Sequence, residues 1–227
     1  REKSNFLLKL IENNNKQFNV ITEIKKSSPS QGIIRKKFDP LEISLEYQKA
    51  GAKCLSILTE SKFFNGNINF LPLIKKKVKL PILRKDFILD EWQIYESHYF
   101  GADCILLILG ILNDGMFYKL YNLAYSLGMD VISEVHDKKE LNRALNFNVK
   151  CIGINNRNLK TLKINTDTFK KLSIKIPKKT IKICESGLKK NKQLKEMSKF
   201  GANAFLIGES LMKSDNIYKS TQELIKK

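Results

Sequence analysis

Eight short apolar segments, each followed by a stretch long enough for a helix, constrain this chain more than any other feature. They are VITEIK (20–25), CLSIL (54–58), PILRK (81–85), DCILLIL (103–109), DVISEV (130–135), CIGIN (151–155), IKICES (181–186) and AFLIG (204–208). Each is bounded by Gly, Pro or polar residues, and their Val, Ile and Leu content suits strands buried on both faces. Helix-length segments lie between them, among them 40–49, 91–100, 114–126 and 191–200. Strands joined through helices run parallel. Gly51-Ala52, Gly101-Ala102 and Gly201-Ala202 each close a helix just before a strand, as a left-handed C-terminal glycine does. This repeat of about 50 residues corresponds to two βα units. An open doubly wound sheet would carry a Gly-rich phosphate loop after its first strand, and VITEIK has none. The expected fold is therefore α/β: a (β/α)8 TIM barrel, one domain over 1–227, with a short N-terminal extension over 1–19.

The 227 residues suit one such barrel, and a hydrophobic content of 42% is enough for its core. The run ILLILGIL (105–112) falls far short of the roughly 20 residues a membrane span needs. No signal peptide is visible, so a cytoplasmic location is expected. The net charge of +18 comes almost wholly from Lys spread along the chain beside many Asn and Ile, residues that share A/T-rich codons. No Arg-rich cluster or aromatic-interleaved basic stripe stands out, so neither a nucleic-acid nor a membrane partner is expected. Lys75-Lys76-Lys77 and Lys189-Lys190 read as solvated helix faces. Cys54, Cys104, Cys151 and Cys184 form no C-x-x-C pair and read as buried thiols, without a disulfide or a metal site.

Charge interrupts the strands at their C-terminal ends, where barrel active sites lie. In VITEIK, Ile21, Glu23 and Lys25 share a face. Two charges facing a barrel interior are either a rim ion pair or functional groups. In PILRKDF, Leu83, Lys85 and Phe87 share a face. Lys85 is a candidate general acid whose pKa partial burial would lower, or else a surface lysine. Glu134 is a candidate general base or a neighbour of a helix N-terminus. Strand six ends in Asn155, followed by Asn156 and Arg157, and strand seven ends in Glu185. The loops Ser186-Gly187-Leu188 and Gly208-Glu209-Ser210 could hold a phosphate on backbone N–H groups, or could simply turn. His98 and His136 have no Cys, Ser or second His at a telling distance, and both read as non-catalytic.

These segments together resemble the indole-3-glycerol-phosphate synthases. The resemblance runs from about Phe18 to Met212 through TEIKKSSPSQG (22–32), LSILTESKFFNG (55–66), PILRKDFILDEWQI (81–94), GADCILLI (101–108), SEVHD (133–137), IGINNRNLKT (152–161), ESG (185–187) and FLIGESLM (205–212). It implies a lyase of tryptophan biosynthesis without metal or organic cofactor. Its phosphorylated substrate, 1-(2-carboxyphenylamino)-1-deoxyribulose 5-phosphate, would undergo ring closure, decarboxylation and dehydration to indole-3-glycerol phosphate.

The resemblance also implies roles. Lys85 would protonate the substrate carbonyl, and Glu134 would act as base in the dehydration. Lys25 would hold the substrate carboxylate, and Glu23 would orient the lysines. Asn155 and Glu185 would bind hydroxyls or the anilino nitrogen. Ser28, Ser186, Gly187, Gly208 and Glu209 would hold the phosphate, with Arg157 among the binding residues. Phe64, Phe87, Leu106 and Leu159 would line a slot for the aromatic ring. Family members usually carry a helix over the barrel mouth ahead of the first strand, longer than the 1–19 extension here. Gly110 stands where a less flexible residue is expected. Three alternatives remain: a phosphoribosylanthranilate isomerase, disfavoured because no Cys ends strand one; a basic nucleic-acid binder; and a degenerate enzyme. A monomer and one half of a bifunctional protein are both compatible with the sequence.

Overall fold

The structure, a computed structural model, describes residues 3–13 and 15–227. Eight parallel strands close a barrel: β1 (Val20–Ile24), β2 (Cys54–Leu58), β3 (Ile82–Lys85), β4 (Cys104–Ile108), β5 (Asp130–Val135), β6 (Cys151–Asn155), β7 (Ile181–Glu185) and β8 (Ala204–Ile207). Each strand pairs with the next, and β8 returns to β1 with Val20 beside Phe205. Closure removes the sheet's edges. Several strands are one or two residues shorter than the apolar segments that announce them, because terminal residues such as Ser186 and Gly208 turn into loops.

The helices are α1 (Phe6–Ile11), α2 (Pro40–Ala50), α3 (Phe70–Lys75), α4 (Glu91–Tyr99), α5 (Asp114–Ser126), α6 (Lys138–Asn146), α7 (Asp167–Ser173), α8 (Asn191–Lys199), α9 (Glu209–Met212) and α10 (Ile217–Ile225). Local chemistry sets their limits. Asp39 caps α2 by accepting from the N–H groups of Leu41 and Glu42, ahead of Pro40. Gly51, Gly101 and Gly201 follow helices at φ of 98°, 89° and 87°, the left-handed turn expected at the echoed positions. Lys75 is more than a solvated helix face, because it pairs with Asp103.

Apolar side chains pack in two layers. One lies between strands and outer helices, and Cys184 belongs to it. The other fills the barrel, where Ile21, Leu83, Leu106, Ile132, Ile183 and Leu206 point inward. Cys54, Cys104 and Cys151, near the N-terminal ends of their strands, form the interior floor with Phe6, Leu7 and Leu10 of α1. The 1–19 stretch therefore holds a helix at the end of the barrel opposite the mouth. The Leu7 N–H donates to Asp130 Oδ2 at 3.1 Å, anchoring α1 to the first residue of β5.

Candidate active site

Strand register brings the polar strand ends together. Ile108 pairs with Glu134, Glu134 with Gly153, Asn155 with Glu185, and Leu58 with Lys85. A cavity of about 490 Å³ opens there. Glu23, Lys25, Ser28, Phe64, Lys85, Phe87, Leu106, Glu134, Asn155, Arg157, Leu159, Glu185, Ser186, Gly187, Gly208 and Glu209 all line it.

Lys85 sits at the centre. Arg84, on the opposite face, is held by ion pairs to Asp86 just past the strand at 3.0 Å and to Glu96 of α4 at 2.7 Å, which fixes the end of β3. The Lys85 ammonium lies 2.9 Å from Glu134 Oε2 and 3.6 Å from Glu185 Oε2, and both carboxylates are 1% exposed. Two buried carboxyl groups that share Lys85 resist being ionised together. Burial pushes Glu185 up, the Glu134 charge adds to this, and its pKa reaches about 8. Burial would also raise Glu134, but Lys85 and then His136 outweigh it and hold its carboxyl well below the usual carboxylate range.

The sequence led to the expectation that burial would lower the pKa of Lys85. Burial does act in that direction, but Glu134, Glu185 and Glu23 overcome it, and the ammonium stands above its ordinary value. Lys85 is therefore a permanently charged donor at neutral pH. It can give its proton to an alkoxide, which is a stronger base than an amine.

The remaining groups are tied into this centre. Lys25 Nζ donates to Glu23 Oε1 at 2.6 Å, so the two do form an ion pair at the rim. Asn155 Nδ2 donates to Glu134 Oε1 at 3.2 Å, while its Oδ1 accepts from Ser186 Oγ at 2.8 Å and the Arg157 N–H at 3.0 Å. Arg157 reaches Ser30 Oγ at 3.2 Å and Glu209 Oε2 at 3.4 Å. The two small-residue loops are joined by Ser210 Oγ, which donates to the Leu188 carbonyl at 3.2 Å. Ser186 and Gly187 both adopt positive φ, 64° and 84°. Opposite these loops the lining is apolar, with Phe64 and Phe87 ring centroids 6.4 Å apart.

Two glycines leave room for carboxylate side chains that lie far along the chain. A Cβ on Gly153 would lie 2.0 Å from Glu185 Oε1, so only glycine lets that carboxyl cross β6. A Cβ on Gly110 would lie 2.7 Å from Glu140 Oε1, which accounts for glycine after β4. His136, outside the cavity lining, lies against Glu134. A hairpin of Ser27–Ser28 with Gly32–Ile33 follows β1 and sets Ser28 at the mouth; its two-residue strands gave no periodicity to read.

The Glu185 shift has a sign that can be checked. Its folded pKa of about 8 lies above the ordinary carboxylate range. Its stabilising contribution is thus present at low pH and lost as pH rises through about 8. Glu185→Gln should therefore melt higher than the parent at about pH 9, with the gain shrinking toward about pH 5, at roughly 2–4 °C per kcal/mol. A pH-independent difference in melting would refute the raised pKa.

Comparison with known proteins gives the family. The family model described as indole-3-glycerol phosphate synthase matches residues 1–224. Proteins named indole-3-glycerol phosphate synthase are 50% identical over 206 residues in Legionella pneumophila (strain Paris), covering 91% of this chain and 80% of that protein. The one from Acetivibrio thermocellus is 45% identical over 210 residues, covering 92% and 81%. Among solved structures, a 3-hexulose-6-phosphate synthase superposes with a TM-score of 0.73 at 12% identity, over 91% of this chain and 98% of that one. A thiamine phosphate pyrophosphorylase from Pyrococcus furiosus gives 0.65 at 11% identity, over 91% and 93%. At such identities the structural likeness speaks for the barrel alone.

Proposed function

The chain belongs to the indole-3-glycerol phosphate synthase family, whose carboxy-lyase activity in tryptophan biosynthesis is therefore its own, and we propose that the mouth cavity performs it with Lys85 as acid and Glu134 as base. The observation that carries this division is the Lys85 ammonium held between the buried carboxyl groups of Glu134 and Glu185, beside an apolar slot.

The slot between Phe64, Phe87, Leu106 and Leu159 takes the anthranilate ring and sets its carboxylate-bearing carbon against the ribulose carbonyl. As that carbon attacks, electrons move onto the carbonyl oxygen, and Lys85 donates its proton there. Lys25, oriented by Glu23, pairs with the substrate carboxylate until the C–C bond breaks and CO2 leaves, returning its electrons to the ring. Lys25, released from the carboxylate, then gives a proton to the new hydroxyl, which departs as water, while Glu134 takes the proton from the carbon beside the anilino nitrogen. A neutral Glu185 donates a hydrogen bond to a substrate hydroxyl or the anilino nitrogen, and Asn155 holds the same region. No helix among the described residues is long and apolar enough to cross a membrane, and we place the reaction in the cytoplasm.

The phosphate goes to the loops Ser186-Gly187 and Gly208-Glu209, with Ser28 facing them and Arg157 alongside. Inorganic phosphate should then inhibit competitively against substrate. Gly187→Asp puts a carboxylate beside the anion, and its Cβ would also meet Ile164 at 2.7 Å. Like charges brought together cost several kcal/mol, so KM and the inhibition constant should rise together by about tenfold or more. Non-competitive inhibition, or an unchanged KM, would move the phosphate elsewhere.

A further inference from the structure

We propose that His136 is a positioning residue for this reaction: clamped between Glu140 and Glu134, it fixes one oxygen of Glu134 so that the other meets Lys85 and the cavity. The proposal rests on Glu134 being the base. His136 Nδ1 lies 3.0 Å from Glu140 Oε2, and the His136 backbone N–H donates to that same oxygen at 2.8 Å. Nε2 lies 3.1 Å from Glu134 Oε1, an ion-pair contact in which Nε2 has no aligned hydrogen-bond partner. An ionised carboxylate offers only lone pairs, so Nδ1 facing Glu140 must carry hydrogen. A neutral ring would then turn a lone pair on Nε2 toward Glu134. The arrangement is favourable only as an imidazolium with a proton on each nitrogen. Burial opposes that charge, but the contacts with Glu134 and Glu140 overcome it, and the His136 pKa rises to about 10.

The clamp is built from behind. The Glu140 N–H donates to Asp137 Oδ1 at 2.8 Å, which starts α6 with its carboxylate directed back at the ring. Gly110 leaves the space that the other Glu140 oxygen fills. The charged groups bearing on the ring are Glu134 from β5 and Glu140 from α6. Lys85 from β3 and Glu185 from β7 act on the far side of Glu134. Arg143, one turn past Glu140, is turned away to Asp114 and to the carbonyls of Leu109 and Leu112. Glu134 thus has one oxygen hydrogen-bonded by Asn155 within ion-pair reach of His136, and the other on Lys85. The side chain of His136 is 9% exposed and does not line the cavity, so it acts through Glu134 and not on substrate.

The test compares the full chain with His136→Gln, Glu140→Gln and Glu134→Gln by kcat and KM across pH, together with 15N NMR of the His136 ring. His136→Gln removes the cation and should lower kcat by about tenfold to 100-fold, the range for groups that orient a reacting residue, with KM little changed. The acid limb of its kcat profile should move to higher pH, because a base that must be ionised loses a cation holding its carboxyl down. In Glu140→Gln the ring should be neutral at about pH 8, and the kcat deficit should shrink toward about pH 5, where any histidine is charged. A neutral ring at about pH 8 in the parent, or a pH-independent loss without a shifted limb in His136→Gln, overturns the proposal. Glu134→Gln separates the two readings. If it keeps kcat, the assignment of the base fails. If it loses kcat while His136→Gln shifts nothing, positioning by His136 alone fails.

Discussion

Lys85→Ala is expected to cut kcat by about 10²–10⁴, or roughly 3–5 kcal/mol of barrier, and to change KM no more than a few-fold. The Lys85 ammonium is the cation between Glu134 and Glu185 and faces the cavity where, on the proposed mechanism, the carbonyl oxygen becomes an alcohol. Its proton matters only once charge develops on that oxygen, so the loss belongs in turnover. Removing it also leaves Glu134 and Glu185 buried without their cation. Folding of the variant is therefore checked by circular dichroism alongside steady-state kinetics. Lys76→Ala is the control, an exposed lysine at the end of α3. Lys75 is unsuitable because it pairs with Asp103, which also accepts from the Ile82 N–H at the start of β3. A near-normal kcat for Lys85→Ala would transfer the acid role to Lys25.

The second large effect is on stability. Phe6 is wholly buried, and with Leu7 and Leu10 it closes the barrel floor against Cys54, Cys104 and Cys151. Phe6→Ala removes the largest of these side chains from a rigid strand framework that cannot collapse onto the space. Such truncations cost about 3–5 kcal/mol, a fall in Tm of roughly 6–20 °C for a chain of this size. KM measured well below the transition should stay near the parent value, because substrate enters at the opposite end. A shift of only a degree or two by calorimetry would mean that α1 does not act as a plug.

The fold was legible because a buried parallel strand is a short apolar run, and eight such runs alternated with helices. The bounds of β2, β5 and β6 coincide with CLSIL, DVISEV and CIGIN. Helix α1 was not legible: FLLKLI is six residues, too short to show a period, and its apolarity is explained only by the floor beneath the distant strand starts. The carboxylates and lysines of the mouth could be picked out because charge at the end of an apolar strand is costly without a use or a partner. The direction of the Lys85 shift could not, since it depends on three carboxylates from β1, β5 and β7 converging on β3. Gly153 and Gly110 make room for side chains far along the chain, which no local pattern records. The spacing of His136 and Glu140, one helical turn apart, was visible, but its meaning needed Glu134 on the other side of the ring.

On the proposed mechanism this cavity closes an indole ring through Lys85. The most direct measurement follows indole fluorescence and released CO2 when the purified chain is mixed with 1-(2-carboxyphenylamino)-1-deoxyribulose 5-phosphate. The expected result is a fluorescence rise matched by equimolar CO2, suppressed by inorganic phosphate and nearly abolished in folded Lys85→Ala. A folded parent chain that yields no indole, or a Lys85→Ala chain that yields it at the parent rate, would contradict it.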